Sequence, residues 1–335
     1  MKKIKLNQIK RTVFTSNNVL ATLLMVFIVL YVKDHKKLQT FENVNTEHVT
    51  IDHRKRLEDR RQRLLHVCNE YKINSRVEHA SIFERKNQVN RCTGSFFNLN
   101  GKDHFICNIL KGGSTSWQVF FGENNITRTF LEQCEDKHNC PATLDLHLVQ
   151  VRHPLERLLA TYRHIFKNGG WRALDLNYQG NPRLEEEYKK FFSKDWPTFV
   201  EEVVLKDEYG KTENDLEQLG KSGVWIKHHW APYWFTCGLC TSNLIPDLIL
   251  KTETLYWDMP EVLQRLGLPE TISFPDIRVT GAEDNFSEGN KPSEEFVEKY
   301  FSKLKKQQVL ELYEMYKIDH LMFDYSPQKY IDSAE

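Results

Sequence analysis

One short segment combines a lysine, two glycines and three hydroxyl side chains, a set of groups that can bind an anion. Its members are Lys111, Gly112, Gly113, Ser114, Thr115, Ser116 and Trp117. The glycines allow a tight turn and close approach of the backbone to a ligand, and the hydroxyl residues add donors for phosphate-type oxygens. The pattern GxxxxGK[ST] occurs nowhere in the 335 residues, so this is not a Walker A loop. We predict an anion site here; the alternative is an ordinary turn beside a solvated lysine.

A second basic cluster follows another apolar run. Arg152 comes directly after residues 144–151, and Arg157 and Arg163 follow on a helical pattern. Guanidinium groups bind phosphates through paired hydrogen bonds. Two anion sites at two strand ends suit a nucleotide that carries phosphates on opposite sides of its ribose.

Three strand-to-helix joints would position these side chains. Residues 104–110, 144–151 and 246–250 are short apolar runs, and each precedes a helical pattern. Pro154 suits the first turn of the second helix, and Gly267 suits the end of the third. Ligands of open α/β sheets bind at the carboxyl ends of strands. The sequence therefore predicts a single α/β domain with a mostly parallel sheet and a P-loop-like donor site.

Taken in order, these motifs resemble the Golgi carbohydrate sulfotransferases, in the branch with the chondroitin, dermatan and N-acetylgalactosamine 4-O-sulfotransferases. The matching segments are residues 63–68, 111–117, 151–158 with 162–163, 229–230, 237–240, 247–254 and 312–325. The resemblance implies transfer of a sulfuryl group from 3′-phosphoadenosine 5′-phosphosulfate to a hydroxyl of a chondroitin, dermatan or N-acetylgalactosamine type glycan, without a metal. The implied partners are a glycan or proteoglycan acceptor and, through one N-terminal helix, a membrane.

The resemblance also implies roles for the two basic segments. Residues 111–117 match the family's loop for the 5′-phosphosulfate, and Arg152 onward, with Arg157, matches its site for the 3′-phosphate. Ala160 stands where the family commonly has Ser, and Leu110 where it usually has Pro. We expect the Thr161 hydroxyl to replace the missing one; because adjacent helix positions point about 100° apart, weaker donor affinity is the alternative.

Sulfuryl transfer needs a group that neutralises the leaving phosphate and a base that takes the acceptor proton. We assign the first role to Lys111. We assign the second to His229, which belongs to the family's His-Trp pair, against the alternative of a structural histidine packed beside Trp230. The next candidates are His228, His147, His153 and Glu253.

The N-terminal segment is typical of a signal anchor. Residues 13–32 carry no charge and are long enough to cross a bilayer as a helix, and residues 1–12 are basic. We predict a cytoplasmic tail over 1–12, a transmembrane helix over 13–32, a stem over 33–62 and a lumenal sulfotransferase domain over 63–335. These segments, with the resemblance, predict a single-pass type II Golgi membrane protein; a cleaved signal peptide is the alternative. The arginines of residues 54–63 are interpreted as a solvated helix face.

Cysteines and sequons agree with a lumenal location. Seven cysteines are present, and we predict disulfides without assigning the pairs. A zinc site formed by Cys237 and Cys240 with Cys134, His138 and Cys140 is the alternative. Asn125 and Asn285 lie in N-glycosylation sequons.

The overall charge restricts the function classes. Lys and Arg together number 46, as do Asp and Glu, which argues against wholesale binding of nucleic acid. A glycosyltransferase that binds metal through Asp-x-Asp is disfavoured because that motif is absent. A metal-independent glycosyltransferase and an inactive glycan-binding homologue remain as alternatives, the latter because of Ala160.

Overall fold

The structure, a computed structural model, describes residues 53–73, 94–131, 144–170, 182–206, 229–240, 245–275 and 293–335. The predicted tail, the predicted anchor at 13–32 and most of the predicted stem lie outside these ranges. So do Cys92, Cys134, His138, Cys140, His228 and Asn285. Among the described residues, no helix is both long and apolar enough to cross a bilayer.

A five-stranded sheet forms the centre of the fold. Its strands are β1 (Gly94–Leu99), β2 (Lys102–Cys107), β3 (Arg128–Leu131), β4 (Leu146–Val151) and β5 (Leu248–Lys251). The order across the sheet is β3-β1-β2-β4-β5. β4 is parallel to β2 and to β5, which brings the carboxyl ends of these three strands to one edge of the sheet.

Four strands of this sheet run in the same direction and β1 runs against them, so the sheet is mixed. β1 runs antiparallel to both β2 and β3. The cause is a hairpin at Asn100 and Gly101, whose φ angles of 54° and 76° are both left-handed. An Asn-Gly pair favours this two-residue turn because both residues adopt positive φ at low cost.

Helices cover the sheet and extend beyond it. They are α1 (residues 53–70), α2 (Ser114–Glu123), α3 (Pro154–Thr161), α4 (Pro182–Phe192), α5 (Trp196–Thr198), α6 (Tyr233–Thr236), α7 (Leu255–Leu266), α8 (Val297–Phe301), α9 (Lys306–Phe323) and α10 (Gln328–Ser333). Wide π-helical turns continue α3 over Tyr162–Lys167 and α5 over Phe199–Leu205. Short 3₁₀ turns, Thr252–Thr254 and Ser293–Phe296, precede α7 and α8. The helices predicted after the three apolar runs are confirmed, and Gly267 ends α7 with a φ of 68°.

Both faces of the central strands are buried, as expected for parallel strands between helical layers. All six residues of β4 are buried. On one face Val149 packs with residues of α1, α6 and α9, and on the other Leu148 packs with residues of α2 and α7. A third, helical core joins α3, α5 and α9 around Trp230. Residues 56–335 form one compact unit, which agrees with the predicted single α/β domain.

Two disulfides connect the segment after α6 to the rest of the domain, one to the end of β2 and one to α1. Cys107, the last residue of β2, bonds to Cys237, and Cys68 of α1 bonds to Cys240. The prediction of disulfides is confirmed for these four residues. The zinc alternative is wrong, because the sulfur atoms of Cys237 and Cys240 are already covalently paired.

The arginines of α1 do not all face solvent. Arg60 is 9% exposed and donates to Asp258 at 2.7 Å and to the Ile249 carbonyl at 2.9 Å. Arg56 also pairs with Asp258, at 2.8 Å. A buried carboxylate needs such partners to offset its desolvation. The solvated-face interpretation is therefore wrong for Arg60.

Candidate active site

The predicted anion loop lies where β2 ends and α2 begins. Lys111 has a φ of 63° and Gly113 a φ of 116°, so the chain turns sharply twice before Ser114. The Trp117 N–H donates to the Gly113 carbonyl at 3.3 Å, which closes the first turn of α2. The earlier N–H groups of a helix have no acceptor within it and point toward whatever lies at its N-terminus. The loop thus presents backbone donors and a lysine at one place, which suits an anion.

Side chains of β4 and of the 3₁₀ turn after β5 contact the loop. A Cβ atom on Gly113 would lie 2.1 Å from Gln150 Nε2, so only glycine fits there. Gln150 in turn accepts a hydrogen bond from the Trp117 indole. The Thr252 hydroxyl lies 3.2 Å from the Gly112 carbonyl oxygen. Ser114, Thr115 and Ser116 are partly exposed, whereas Trp117 is fully buried, which fits a positioning role for the tryptophan.

Arg152 follows β4 at the same edge of the sheet. Its backbone N–H donates to the Tyr233 hydroxyl at 3.0 Å. Its guanidinium group lies 3.4 Å from a Glu156 carboxylate oxygen, and the other oxygen of Glu156 accepts from the Tyr330 hydroxyl at 2.9 Å. The arginine side chain is 17% exposed. These contacts hold a partly accessible guanidinium group at the end of β4.

Three buried side chains fix residues 229–231 through consecutive carbonyl oxygens. Thr161 lies 2.8 Å from the oxygen of residue 229, Tyr316 donates to that of residue 230 at 2.6 Å, and Arg157 donates to that of residue 231 at 2.6 Å. Arg157 also donates to the carbonyl of Leu110 at 3.0 Å, directly before the anion loop. These contacts indicate that Arg157 and Thr161 position the backbone. Their direct contact with a sulfate donor stays a prediction.

The predicted base lies in this fixed segment. His229 is 2% exposed and Trp230 1% exposed. The base role of His229 stays a prediction, and its burial agrees equally with the alternative of a structural histidine.

The other candidate bases are engaged elsewhere or buried. His147 is 3% exposed, and burial lowers its pKa to about 4. It precedes the end of β4 by four residues, which is about 13 Å along a strand. His153 Nε2 lies 3.0 Å from the Ser326 carbonyl oxygen, and burial lowers the pKa of this histidine to about 3. Glu253 accepts from the His153 N–H and the Tyr325 hydroxyl, both at 2.8 Å.

Two residues near the loop were not predicted from the sequence as part of the donor site. Tyr233 connects the two basic joints, and a Cβ atom on Gly112 would lie 2.8 Å from its hydroxyl. His164 lies close enough to Lys111 for that charge, together with burial, to lower its pKa to about 4. The position of His164 directly after the Tyr162-Arg163 motif was the available signal. Across the described ranges, no group of three His, Cys, Asp or Glu side chains is arranged to hold a metal ion.

Comparison with known proteins shows which family this chain resembles. Residues 96–326 match the model of the "Sulfotransferase family". "Carbohydrate sulfotransferase 11" of Danio rerio is 27% identical over 190 residues, which cover 56% of this chain and 48% of that protein. "Carbohydrate sulfotransferase 9" of Homo sapiens is 27% identical over 180 residues, or 53% of this chain and 37% of that protein. "Carbohydrate sulfotransferase 10" of Xenopus laevis is 29% identical over 187 residues, or 54% and 47%.

The matched region spans less than half the length of each of these three relatives. No solved structure matches the chain. The matches confirm the resemblance to carbohydrate sulfotransferases that the motifs predict. Because the family model covers residues 96–326, well over half of the sequence, the chain belongs to the sulfotransferase family.

Proposed function

We propose that this chain transfers a sulfuryl group from 3′-phosphoadenosine 5′-phosphosulfate to a glycan hydroxyl. The observation that carries the proposal is the meeting of two basic joints at one sheet edge. Gly112, in the loop around Lys111, lies against the Tyr233 hydroxyl, and the backbone N–H of Arg152 donates to the same hydroxyl. A donor with a 5′-phosphosulfate and a 3′-phosphate needs two such sites.

The residues present fit this donor. We assign the 5′-phosphosulfate to Lys111 and to the N–H and hydroxyl groups of residues 112–116, since the N-terminus of α2 favours negative charge. We assign the 3′-phosphate to the partly accessible guanidinium group of Arg152. Trp117, Arg157 and Thr161, which are buried and bonded to protein groups, act as positioning residues in this arrangement.

The chemistry consists of alignment and charge neutralisation. The acceptor oxygen forms a bond to sulfur while the bond from sulfur to the bridging phosphate oxygen breaks, and negative charge grows on the departing 3′,5′-bisphosphate. Lys111 stabilises that charge, which is largest in the transition state and therefore contributes to rate. A histidine takes the proton of the acceptor hydroxyl.

The acceptor is inferred from the relatives, and the compartment from the relatives, the disulfides and an exposed sequon. The relatives are named carbohydrate sulfotransferases, and we propose a chondroitin, dermatan or N-acetylgalactosamine type acceptor in the Golgi lumen. Two disulfides support an oxidising compartment. The sequon residue Asn125 is exposed in the turn after α2, where an N-glycan has room. A glycosidase should shift the gel mobility of the chain made in secretory cells. Asn125→Gln should remove the part of this shift that comes from a glycan on Asn125.

One departure from the family leaves a second candidate function. Ala160 is 9% exposed on α3 and supplies no hydroxyl to a donor. A catalytically inactive glycan-binding protein would be expected to lack such a hydroxyl. That hypothesis, however, does not explain why Lys111 and Arg152 lie at the two basic joints.

The deciding experiment is incubation of the full chain with donor labelled in its sulfuryl group and a panel of desulfated glycans. Label on a sugar supports the proposal. Glycan binding without label transfer supports the inactive homologue, and transfer of a sugar from a sugar nucleotide supports a glycosyltransferase.

A further inference from the structure

Arg152 lies beside an acidic residue at the beginning of α3. Arg152 precedes the helix by two residues, and Glu156 lies in the first turn. One oxygen of the Glu156 carboxyl group, Oε2, lies 3.4 Å from Nη2 of Arg152. A guanidinium group has five N–H donors in one plane, so a contact at one nitrogen restricts its direction and still allows the others to bind a phosphate. The carboxyl group can therefore orient the arginine.

The carboxyl group of Glu156 is itself held from its other side. The side chain is 9% exposed. Its second oxygen, Oε1, accepts a hydrogen bond from the Tyr330 hydroxyl at 2.9 Å, in a buried contact. Because a carboxyl group is planar, a contact that holds Oε1 also fixes the direction of Oε2. Tyr330 thus controls the oxygen that faces Arg152.

The Tyr330 ring is packed between two other rings. Tyr330 lies on α10 and is 2% exposed. Its ring centroid lies 4.4 Å from that of His153 and 4.9 Å from that of Phe301. The His153 ring is fixed in turn, because Nε2 lies 3.0 Å from the Ser326 carbonyl oxygen and Nδ1 accepts from the Leu155 N–H at 3.2 Å. The Tyr330 hydroxyl is therefore presented to Glu156 in one position.

A purely structural role explains this series of contacts poorly. Transfer of a carboxylate out of water costs free energy that an ion pair offsets only in part, so a buried ion pair is weak evidence for a gain in stability. The accessible member of the series is Arg152, which is 17% exposed. It follows the carboxyl end of β4, where ligands of α/β sheets bind. A ligand-binding side chain held by buried supporting groups has this arrangement.

We propose that Glu156 and Tyr330 are positioning residues that direct Arg152 toward the 3′-phosphate of the donor, an inference that rests on the proposed function. Neither residue contacts the donor. They keep the guanidinium group in the orientation in which its other N–H groups bind the phosphate. The phosphate then binds without first ordering a long side chain, a step that would weaken its binding. The two residues thereby set the preference for a 3′,5′-bisphosphate over a 5′-monophosphate.

The test measures the Kd of the full chain for adenosine 3′,5′-bisphosphate and for adenosine 5′-monophosphate. The variants are Tyr330→Phe and Glu156→Asp, which keep the net charge and change only the contacts of the carboxyl group. We expect the bisphosphate Kd to rise by about 2- to 10-fold in each variant, the effect of one hydrogen bond, whereas the monophosphate Kd stays at the wild-type value. The KM for the donor should rise by more than kcat falls.

Two comparisons separate positioning from a loss of stability. Tyr300→Phe is a matched control, because Tyr300 is 4% exposed and its hydroxyl accepts from Lys167 at 2.8 Å. This control should lower stability without changing the ratio of the two Kd values. In an Arg152→Ala background, Tyr330→Phe should cause no further rise in the bisphosphate Kd. Glu156→Asp decides the proposal if Tyr330→Phe does not fold.

The outcomes also separate this proposal from the proposed function, which the label-transfer assay decides. Equal weakening of both nucleotides in the variants, or no weakening of either, contradicts the positioning role. A wild-type chain that binds both nucleotides equally tightly contradicts the assignment of the 3′-phosphate to Arg152 and, with it, the positioning role. A wild-type chain that prefers the bisphosphate, with a Tyr330→Phe variant that keeps this preference, contradicts the positioning role alone.

Discussion

The Tyr233 hydroxyl accepts a hydrogen bond from the Arg152 backbone N–H at 3.0 Å. The same hydroxyl lies against Gly112, where an added Cβ atom would be 2.8 Å from it. One buried side chain thus contacts both basic joints, and Arg157 lies over its ring with 4.6 Å between guanidinium carbon and ring centroid. We therefore expect the separation of the two proposed anion sites to depend on Tyr233.

Tyr233→Phe should weaken both stability and donor binding. The change leaves the Arg152 N–H without its acceptor, which costs about 1–3 kcal/mol when the group stays buried. Chemical unfolding should show that loss, and calorimetry should show weaker binding of the 3′,5′-bisphosphate. The control is Tyr256→Phe, because Tyr256 is 80% exposed. Wild-type affinity in Tyr233→Phe would show that the tyrosine does not set the loop geometry.

Gly113→Ala should disrupt the anion loop. The residue has a φ of 116°, and the added methyl group would meet Gln150 at 2.1 Å. We expect a loss of bisphosphate binding and of transfer. Gly122→Ala is a matched control on α2, because nothing lies within 4 Å of its added methyl group. Alanine should be neutral there or stabilise the helix by up to about 1 kcal/mol. Equal activity of the two variants would contradict the role of the loop.

Arg152→Ala should act on donor binding more than on the chemical step. Loss of a charge-assisted hydrogen bond costs about 1.5–3 kcal/mol, which is about 10- to 100-fold in Kd. The bisphosphate Kd should rise by this factor, while kcat at saturating donor falls less. Arg265→Ala is the control, since that side chain is 44% exposed on α7. An unchanged Kd in Arg152→Ala would place the 3′-phosphate elsewhere.

The buried histidine on β4 predicts loss of stability in acid. Burial lowers the pKa of His147 to about 4, and Asp247 offsets only part of this effect. Between pH 6.5 and 4 the unfolded chain binds a proton at this site that the folded chain does not. The free energy of unfolding therefore falls as the pH falls through this window, by up to about 3 kcal/mol from this group.

His147→Leu should remove that contribution. Relative to the wild type, the variant should gain stability at pH 4.5 compared with pH 7.5, measured by denaturant unfolding. The difference in free energy of unfolding between the variant and the wild type cancels the contributions of groups that both share. One of these is Asp319, because burial raises its pKa to about 7, so its effect on stability has the opposite sign. His66→Gln should follow the wild type, because the His66 side chain is 75% exposed on α1. A pH-independent difference would mean that His147 is not buried in its neutral form.

The sequence predicted the joints well because each depends on local signals. Pro154 begins α3 and Gly267 ends α7, as their backbone preferences require. The hairpin between β1 and β2 also had a local signal, since Asn100-Gly101 favours a two-residue turn. This signal was sufficient to predict that β1 and β2 pair in antiparallel orientation.

The remaining features depend on contacts between distant parts of the chain. Arg60 is buried because Asp258, 198 residues away in sequence, lies opposite it. Trp117 belongs to the loop motif, yet its side chain turns inward to Gln150, 33 residues away. His164 becomes notable only through its position near Lys111. Residue type and spacing alone do not determine such partners.

Lys111→Ala tests the central claim most directly, with transfer of labelled sulfuryl groups to desulfated glycans as the measurement. The exposed Lys102, on β2, provides the control Lys102→Ala. We predict that Lys111→Ala lowers kcat by at least about 10²–10³-fold while its unfolding transition matches that of the wild type, because the lysine acts mainly on charge in the transition state. Near-wild-type transfer by Lys111→Ala would contradict the assignment of this loop as the site of sulfuryl transfer.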